Sequence, residues 1–208
     1  MKKAGLDGVP YFCSFASGCA GFLFALTYAL GLIKGSLGSS VICILADAAP
    51  ADAAVDMVKE AILESDHSSA FLVDVHEGDY QILGINHYST ARASMPLLEL
   101  VNKTVEMIEG LAAKLGIGLR KADVTIHYPN IFPKVWTLVT RQLRIPDVTH
   151  LMEGLAERAH CGGSDSVISL SNHCGGREGQ IHLVVNYGAG LHLAVGLFRS
   201  ASGSAFES

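Results

Sequence analysis

The stretch that most limits what this chain can fold into is the uncharged run from Val9 to Ile33. Its first part, Val9–Phe15, reads as a buried strand, and its second, Ala20–Lys34, as a helix closed by Gly35. A second apolar strand pattern follows at Ser40-Val-Ile-Cys-Ile-Leu-Ala46. A helix that is apolar all round is buried all round, inside a layered core or inside a membrane. Asp7 and Pro10 interrupt the front of the run, and Gly18, Gly21 and Gly31 dilute it, which argues against a signal peptide or a membrane span. Strand, helix, strand predicts a parallel crossover with both strands buried, and so an α/β protein.

The junction inside that run is Ser17-Gly18-Cys19-Ala20-Gly21-Phe22. It puts Cys19 at a helix N-terminus, where unpaired N–H groups and the positive end of the helix dipole favour a thiolate, the nucleophilic form of cysteine. Gly18, Ala20 and Gly21 leave room for a substrate to approach. A buried packing cysteine fits the same spacing.

Further along, Ala51–Glu64 is a modest helical pattern, and Ser65–Ser69 is a turn into a strand at Phe71–Val75. Gln81–His87 reads as the second arm of a hairpin with Phe71–Val75, turning at Glu77-Gly78-Asp79. Leu97, Leu98, Val101, Val105, Ile108, Leu111 and Leu115 recur at helical spacing until Gly116. Asp123–His127 is strand-like, Lys134–Leu143 helical and ended by Ile145-Pro146, and His150–Arg158 a further helix. Val167–Leu170 is a short apolar stretch. Gln180–Tyr187 and Leu191–Phe198 form a final strand pair around Gly188-Ala189-Gly190, and Ala201–Ser208 is a small, polar, disordered tail.

His127, at the carboxyl end of a predicted strand, is a second candidate, because open α/β sheets place their ligands there. His160-Cys161-Gly162-Gly163 and His173-Cys174-Gly175-Gly176 supply four ligands of zinc type. Adjacent His-Cys pairs rarely reach one ion together, so the expectation is no metal and glycines that mark turns. Five cysteines in 208 residues argue against a disulfide framework and for a reducing, cytoplasmic setting. Charge is sparse, at 17%, with a net of −5 and no basic tract, which excludes nucleic acid and anionic membranes as evident partners.

Ser17–Leu26, followed by Ala29-Leu30-Gly31-Leu32-Ile33-Lys34-Gly35, resembles the nucleophile segment of the 3-oxoacyl-(acyl carrier protein) synthase III group of the thiolase superfamily. Asp123-Val-Thr-Ile-His-Tyr-Pro-Asn130 resembles that family's strand-His-x-x-Asn segment, and Gly188-Ala189-Gly190 its terminal glycine turn. The resemblance spans residues 8–200 and implies a thiolase-like layered α/β/α/β/α fold, N-terminally truncated. Residues 1–88 would be the remainder of the first half, 89–200 the second half and 201–208 the tail.

By resemblance, Cys19 carries an acyl group as a thioester, taken from an acyl-CoA or acyl carrier protein, with no tightly bound cofactor. His127 polarises the carbonyl or acts as base. Backbone N–H groups of Cys19, Gly188, Ala189 and Gly190 hold the oxyanion, with Asn130 beside the substrate. The family's usual asparagine has no counterpart in His160–Ser166, which places carbon–carbon bond formation in doubt and leaves acyl transfer by a Cys/His dyad, with Asp165 or His160 orienting the imidazole. The resemblance further implies a homodimer, or a heterodimer with a companion synthase subunit. The missing front third of the family chain leaves a second reading open, a catalytically silent subunit that partners a complete synthase.

Overall fold

The computed structural model describes residues 18–48, 64–76, 78–92, 95–145, 148–188 and 192–201. The expected strand Val9–Phe15, most of the pattern at Ala51–Glu64, Ala189, Gly190 and the tail beyond Ala201 lie outside the described residues.

A 3-10 turn, Gly18–Ala20, opens directly into helix α1, Gly21–Lys34. Strands β1, Ser40–Asp47, and β2, His67–Asp74, pair antiparallel as a two-stranded sheet. Five more strands form a second sheet in the order β3-β7-β6-β4-β5. These are β3, Tyr80–Ser89; β4, Val124–His127; β5, Thr149–Leu151; β6, Ile181–Gly188; and β7, His192–Ser200. β7 pairs antiparallel with both β3 and β6, while β6, β4 and β5 are mutually parallel. The helices that follow α1 are α2, Leu97–Lys114; α3, Pro133–Leu143; α4, Leu155–Arg158; and α5, Ser164–Asn172.

The period-2 alternation of β6 and β7 sorts side chains between two cores. Ile181, Leu183, Val185, Leu193, Val195 and Leu197 join the buried faces of α2 and α3, including Ile108, Trp136 and Val139. Val184, Ala194 and Phe198 face the other way, onto Phe22, Leu23, Leu26 and Ala29 of α1. α1 in turn packs its far side against Cys43 of β1 and Val73 of β2. The layers among the described residues are therefore α2/α3, the five-stranded sheet, α1 with α5, and the β1–β2 sheet, which follow the first four layers of the order that the resemblance implies. The two sheets cover α1 on opposite sides but leave it short of the all-round burial that its apolar run predicts: Thr27, Tyr28, Gly31 and Leu32 lie on an exposed stripe of its second half, with Tyr28 46% and Leu32 37% exposed. Gly196 lets α1 sit down on the sheet, because a Cβ there would stand 2.8 Å from both Leu23 Cδ2 and Phe198 Cε2.

Several expectations are corrected. The strand at Ser40–Ala46 exists, but it is not buried on both sides: Ile42 and Ile44 are 60% and 69% exposed, and only Cys43 is buried. Its observed partner is antiparallel, β2, whose Leu72 is also exposed. Phe71–Val75 and Gln81–His87 do not form a hairpin. They belong to different sheets, and the chain between them crosses from one side of α1 to the other, with Phe71, Tyr80, Ile82 and Ile85 all packing on the same helix cluster. The helix expected over His150–Arg158 is strand β5 followed by the single turn α4, because parallel pairing of Thr149–Leu151 with Thr125–His127 claims the first residues. α2, α3 and the β6–β7 pair stand where the periodicity puts them, and Gly116, at φ +68°, terminates α2. Among the described residues, no helix is long and apolar enough to cross a membrane.

Candidate active site

Two helices begin at the same place. The N-terminus of α5 lies against that of α1, so close that a Cβ on Gly163 would meet Phe22 N at 3.1 Å and Gly21 N at 3.4 Å. Asn186, fully buried on β6, ties them together: its Oδ1 accepts the Leu23 N–H (3.3 Å) and its Nδ2 donates to Ser166 Oγ (2.7 Å). Cys19 sits in the 3-10 turn just ahead of α1, half-buried and unpaired by any disulfide. Gly18 takes φ +48° there, a conformation that costs glycine nothing. The turn packs against β6 and β7.

The group that meets Cys19 is His160. A ring nitrogen of His160, Cys19 Sγ and a carboxylate oxygen of Glu64 all lie within 4.8 Å of one another. His160 Nδ1 is occupied by Asp165 Oδ2 at 2.5 Å, which leaves Nε2 for the thiol side. Asp165, in the first turn of α5, is only 1% exposed and accepts four hydrogen bonds. Oδ2 takes the N–H of Asn130 (2.9 Å) besides His160, and Oδ1 takes Arg158 Nη1 (2.6 Å) and the Cys161 N–H (3.1 Å). Burial alone would push this carboxyl up, but the bonds from His160, Asn130 and Arg158 hold it below its usual range. Burial alone would likewise push His160 down; its interactions with Asp165 and Cys19 outweigh that and push it up to about 10. A buried imidazolium, oriented from behind by a carboxylate, therefore faces a half-buried thiol.

The backbone is bent to hold it. Ala159, immediately before His160, adopts φ 56° and ψ −150°, a region almost reserved for glycine. Its carbonyl is anchored by Asn130 Nδ2 at 3.1 Å, and the His160 carbonyl accepts the Ser65 N–H at 3.0 Å. The Arg158 side chain passes close over Gly154, where a Cβ would lie 2.9 Å from its Nε.

His127 stands elsewhere in the sheet. Both its ring nitrogens are committed, Nδ1 with Ser169 Oγ at 2.7 Å and Nε2 with His182 Nδ1 at 2.9 Å, and His182 Nε2 continues to Ser200 Oγ at 2.9 Å. Burial, then the neighbouring His182 and His173, push His127 down to about 3; burial and His173 push His182 down to about 4. Both rings are neutral members of a closed buried chain. Asn130 contributes its backbone N–H to Asp165, while its amide is spent on the carbonyls of Glu153 and Ala159. Gly188 ends β6 opposite His192; Ala189 and Gly190 are outside the described residues. The four zinc-type residues do not converge: Cys161 Sγ meets Ser65 Oγ at 3.3 Å, while His173 pairs with Glu153 and Cys174 is exposed.

Sequence reasoning thus names Cys19, His160 and Asp165, but assigns the imidazole role to His127. It misses Arg158 and Glu64. The spacing Arg158-x-His160-x-x-x-x-Asp165 is a local signal that could have found the first; nothing in the sequence points to Glu64, which arrives through a lone parallel bridge to His160.

Against solved structures, the chain matches condensing enzymes. It overlays the 3-oxoacyl-[acyl-carrier-protein] synthase III of Aquifex aeolicus with a TM-score of 0.74 at 20% identity, covering 95% of this chain and 70% of that one. The chain has the thiolase-like synthase III fold. A tetronic acid condensing enzyme (TM-score 0.78, 18% identity, 96% and 71% covered) and a protein described as the acyltransferase ChlB3 (0.71, 17%, 90% and 67%) share it. No family profile and no curated protein matches the chain by sequence.

Proposed function

We propose that this chain is a synthase III-like acyltransferase in which Cys19 takes an acyl group from an acyl-CoA or acyl carrier protein thioester and passes it to an acceptor. The observation that carries the reading is the arrangement of half-buried Cys19 with buried His160 and Asp165 at two converging helix N-termini. Cys19 Sγ, as thiolate, attacks the thioester carbonyl. The tetrahedral oxyanion is held by backbone N–H groups around Cys19 and Gly188, at the positive end of the α1 dipole. Its collapse expels the donor thiolate, which takes the Nε2 proton of His160 and leaves as thiol. Neutral His160 then removes a proton from the incoming acceptor, whose attack on the acyl-Cys19 carbonyl releases the Cys19 thiolate and the acylated product. Asp165 holds the imidazole in one orientation throughout.

Transfer is favoured over decarboxylative condensation because the asparagine side chains near these elements, Asn130 and Asn186, already spend their amides on internal partners. Fatty-acid and polyketide-type biosynthesis are the settings in which the neighbours' chemistry fits. The test is intact-protein mass spectrometry after exposure to a panel of acyl-CoA thioesters. A mass increase lost in Cys19→Ala supports the reading, and its size names the acyl group. A folded chain that acquires no acyl adduct from any donor, carrier-protein thioesters included, sinks it.

A second reading, a non-catalytic partner subunit, is favoured by one feature: the outer face of the β1–β2 sheet presents Ile42, Ile44 and Leu72 to solvent at 60%, 69% and 61% exposure. Light scattering on the chain and on Ile44→Lys tests it. An assembly dispersed by the substitution supports that reading, and a monomer in both cases counts against it.

A further inference from the structure

His160 Nε2 is a buried polar atom with no hydrogen-bond partner among the described residues. The ring itself is 1% exposed. An unmet buried nitrogen costs about 1–3 kcal/mol, and such positions usually have an occupant to explain them. What lies around it is a donor set: Cys19 Sγ and a Glu64 carboxylate oxygen, each within 4.8 Å of the imidazole nitrogen and of each other. Cys19 is half-buried and Glu64 exposed, so the site is open on one side to solution.

We propose that Cys19, Glu64 and His160 form a binding site for a thiophilic divalent cation of the Zn²⁺ type, distinct from anything the acyl-transfer reading requires. One sulfur, one imidazole nitrogen and one carboxylate oxygen match the ligands that zinc selects over calcium and magnesium, which prefer oxygen alone. Tetrahedral zinc with bonds of about 2.0–2.3 Å needs ligand atoms about 3.2–3.8 Å apart. The present separations, at most 4.8 Å, are within about an ångström of the upper end of that range, a difference that side-chain rotation at Cys19 and Glu64 would have to close. His160 is already set for coordination from behind: its Nδ1 proton is held by Asp165 Oδ2 at 2.5 Å, the carboxylate–histidine pairing that orients metal-bound imidazoles. Asp165 is itself fixed by Arg158, Asn130 and the Cys161 N–H. On binding, Cys19 gives up its thiol proton and His160 its Nε2 proton, both to solvent, Nδ1 keeps its proton on Asp165, and a water or chloride completes the fourth position.

Occupation removes the Cys19 lone pair from nucleophilic use. Zinc therefore competes with the acyl donor, a consequence that rests on the acyl-transfer reading, whereas the binding itself does not.

The test uses the full chain, reduced and stripped with a chelator. Zn²⁺ is titrated in competition with a chromophoric chelator, and Co²⁺ is added separately to look for a thiolate-to-cobalt charge-transfer band. Expected are one metal per chain, a charge-transfer band, and iodoacetamide labelling of Cys19 slowed at least tenfold by one equivalent of zinc. Cys19→Ser and His160→Ala weaken zinc affinity by about 100-fold or more and Glu64→Gln by about 10-fold; Cys174→Ser, at an exposed thiol, leaves it unchanged. Circular dichroism checks that each variant is folded, and Cys19→Ser, at a half-buried turn, keeps the test decisive where His160→Ala is not. Zinc binding that survives Cys19→Ser, that is lost with Cys174→Ser, or that gives no cobalt–thiolate band overturns the proposal. Acyl labelling of Cys19 in a protein that binds no zinc overturns this inference and leaves the acyltransferase reading standing; stoichiometric zinc without any acylation does the reverse.

Discussion

His160 and Asp165 share a 2.5 Å Nδ1–Oδ2 contact with each residue only 1% exposed, and no other imidazole among the described residues is backed by a buried carboxylate. A histidine oriented in this way can hold one proton at a fixed atom, which a solvent-exposed ring cannot. His160→Ala is expected to slow acyl transfer through Cys19 by about 10²–10⁴-fold, the usual worth of a positioned acid or base. Asp165→Asn should lose on the order of 10²-fold, since the imidazole is retained but no longer held in one tautomer and orientation. It also removes the ion pair with Arg158, whose Nη2 keeps its bond to the Glu153 carbonyl, and should lower stability by about 1–3 kcal/mol. Rates per folded molecule, from acyl-enzyme mass spectrometry alongside denaturant melts, separate the two effects.

His127 is the contrasting case. Its nitrogens are both bonded inside the sheet, to Ser169 and His182. His127→Gln keeps a polar group in the chain while removing the ring, and should cost about 1–3 kcal/mol of stability. The rate at which folded protein acylates Cys19 should stay within about threefold of the parent, because a group locked in its own network contributes nothing to the transition state. A loss comparable with that of His160→Ala would reinstate His127 as the working imidazole.

The fold was legible where periodicity and burial agree. α2 and α3 carry apolar residues on one face and polar residues on the other, and β6–β7 alternates between two cores, so local pattern alone places them. The resemblance added the layer order, which no local pattern states. Pairing was less legible: the Glu77–Asp79 turn has hairpin chemistry, yet its flanking strands enter different sheets because both need to cover α1. At the site, Cys19 was readable from its junction of small residues and helix start. The choice between His127 and His160 was not. Both follow strand-like or loop segments beside asparagine or glycine, and what separates them is a contact across the fold, Cys19 meeting His160, while Ser169, one helical turn beyond Asp165, engages His127.

The buried pair His127–His182 makes stability depend on pH. Each would titrate near its ordinary value of 6.5 in the unfolded chain, but burial pushes them down to about 3 and about 4 in the fold. Between those limits the unfolded chain binds more protons, so their contribution is complete above about pH 6.5 and is lost as the pH falls toward 4. Each histidine contributes a slope near 1.4 kcal/mol per pH unit, which for both amounts to a loss of about 4 kcal/mol from pH 6.5 to 4.5. Urea midpoints across that interval measure it. His127→Gln combined with His182→Gln should flatten the profile; an unchanged slope in the double variant would mean that other groups are responsible.

Gly196 connects the packing of the core to the position of the thiol. A methyl group at this residue would stand 2.8 Å from Leu23 Cδ2, which is fully buried, and 2.8 Å from the Phe198 ring, which is 2% exposed. Neither side chain has free volume to move into, since Leu23 is enclosed by α1, β6 and β7 and Phe198 stacks on Phe22 at 6.2 Å. Gly196→Ala should therefore push α1 away from β7, at a cost of about 1–3 kcal/mol. Because Cys19 is four residues before Leu23 and its distance to His160 is set by where α1 begins, the shift should also slow acylation of Cys19, by about 10-fold or more. Gly196→Ala combined with Leu23→Ala removes the clash at Leu23. If the second change restores acylation while leaving the protein less stable than the parent, then α1 placement is what sets the site; failure to restore it would separate the helix position from the chemistry.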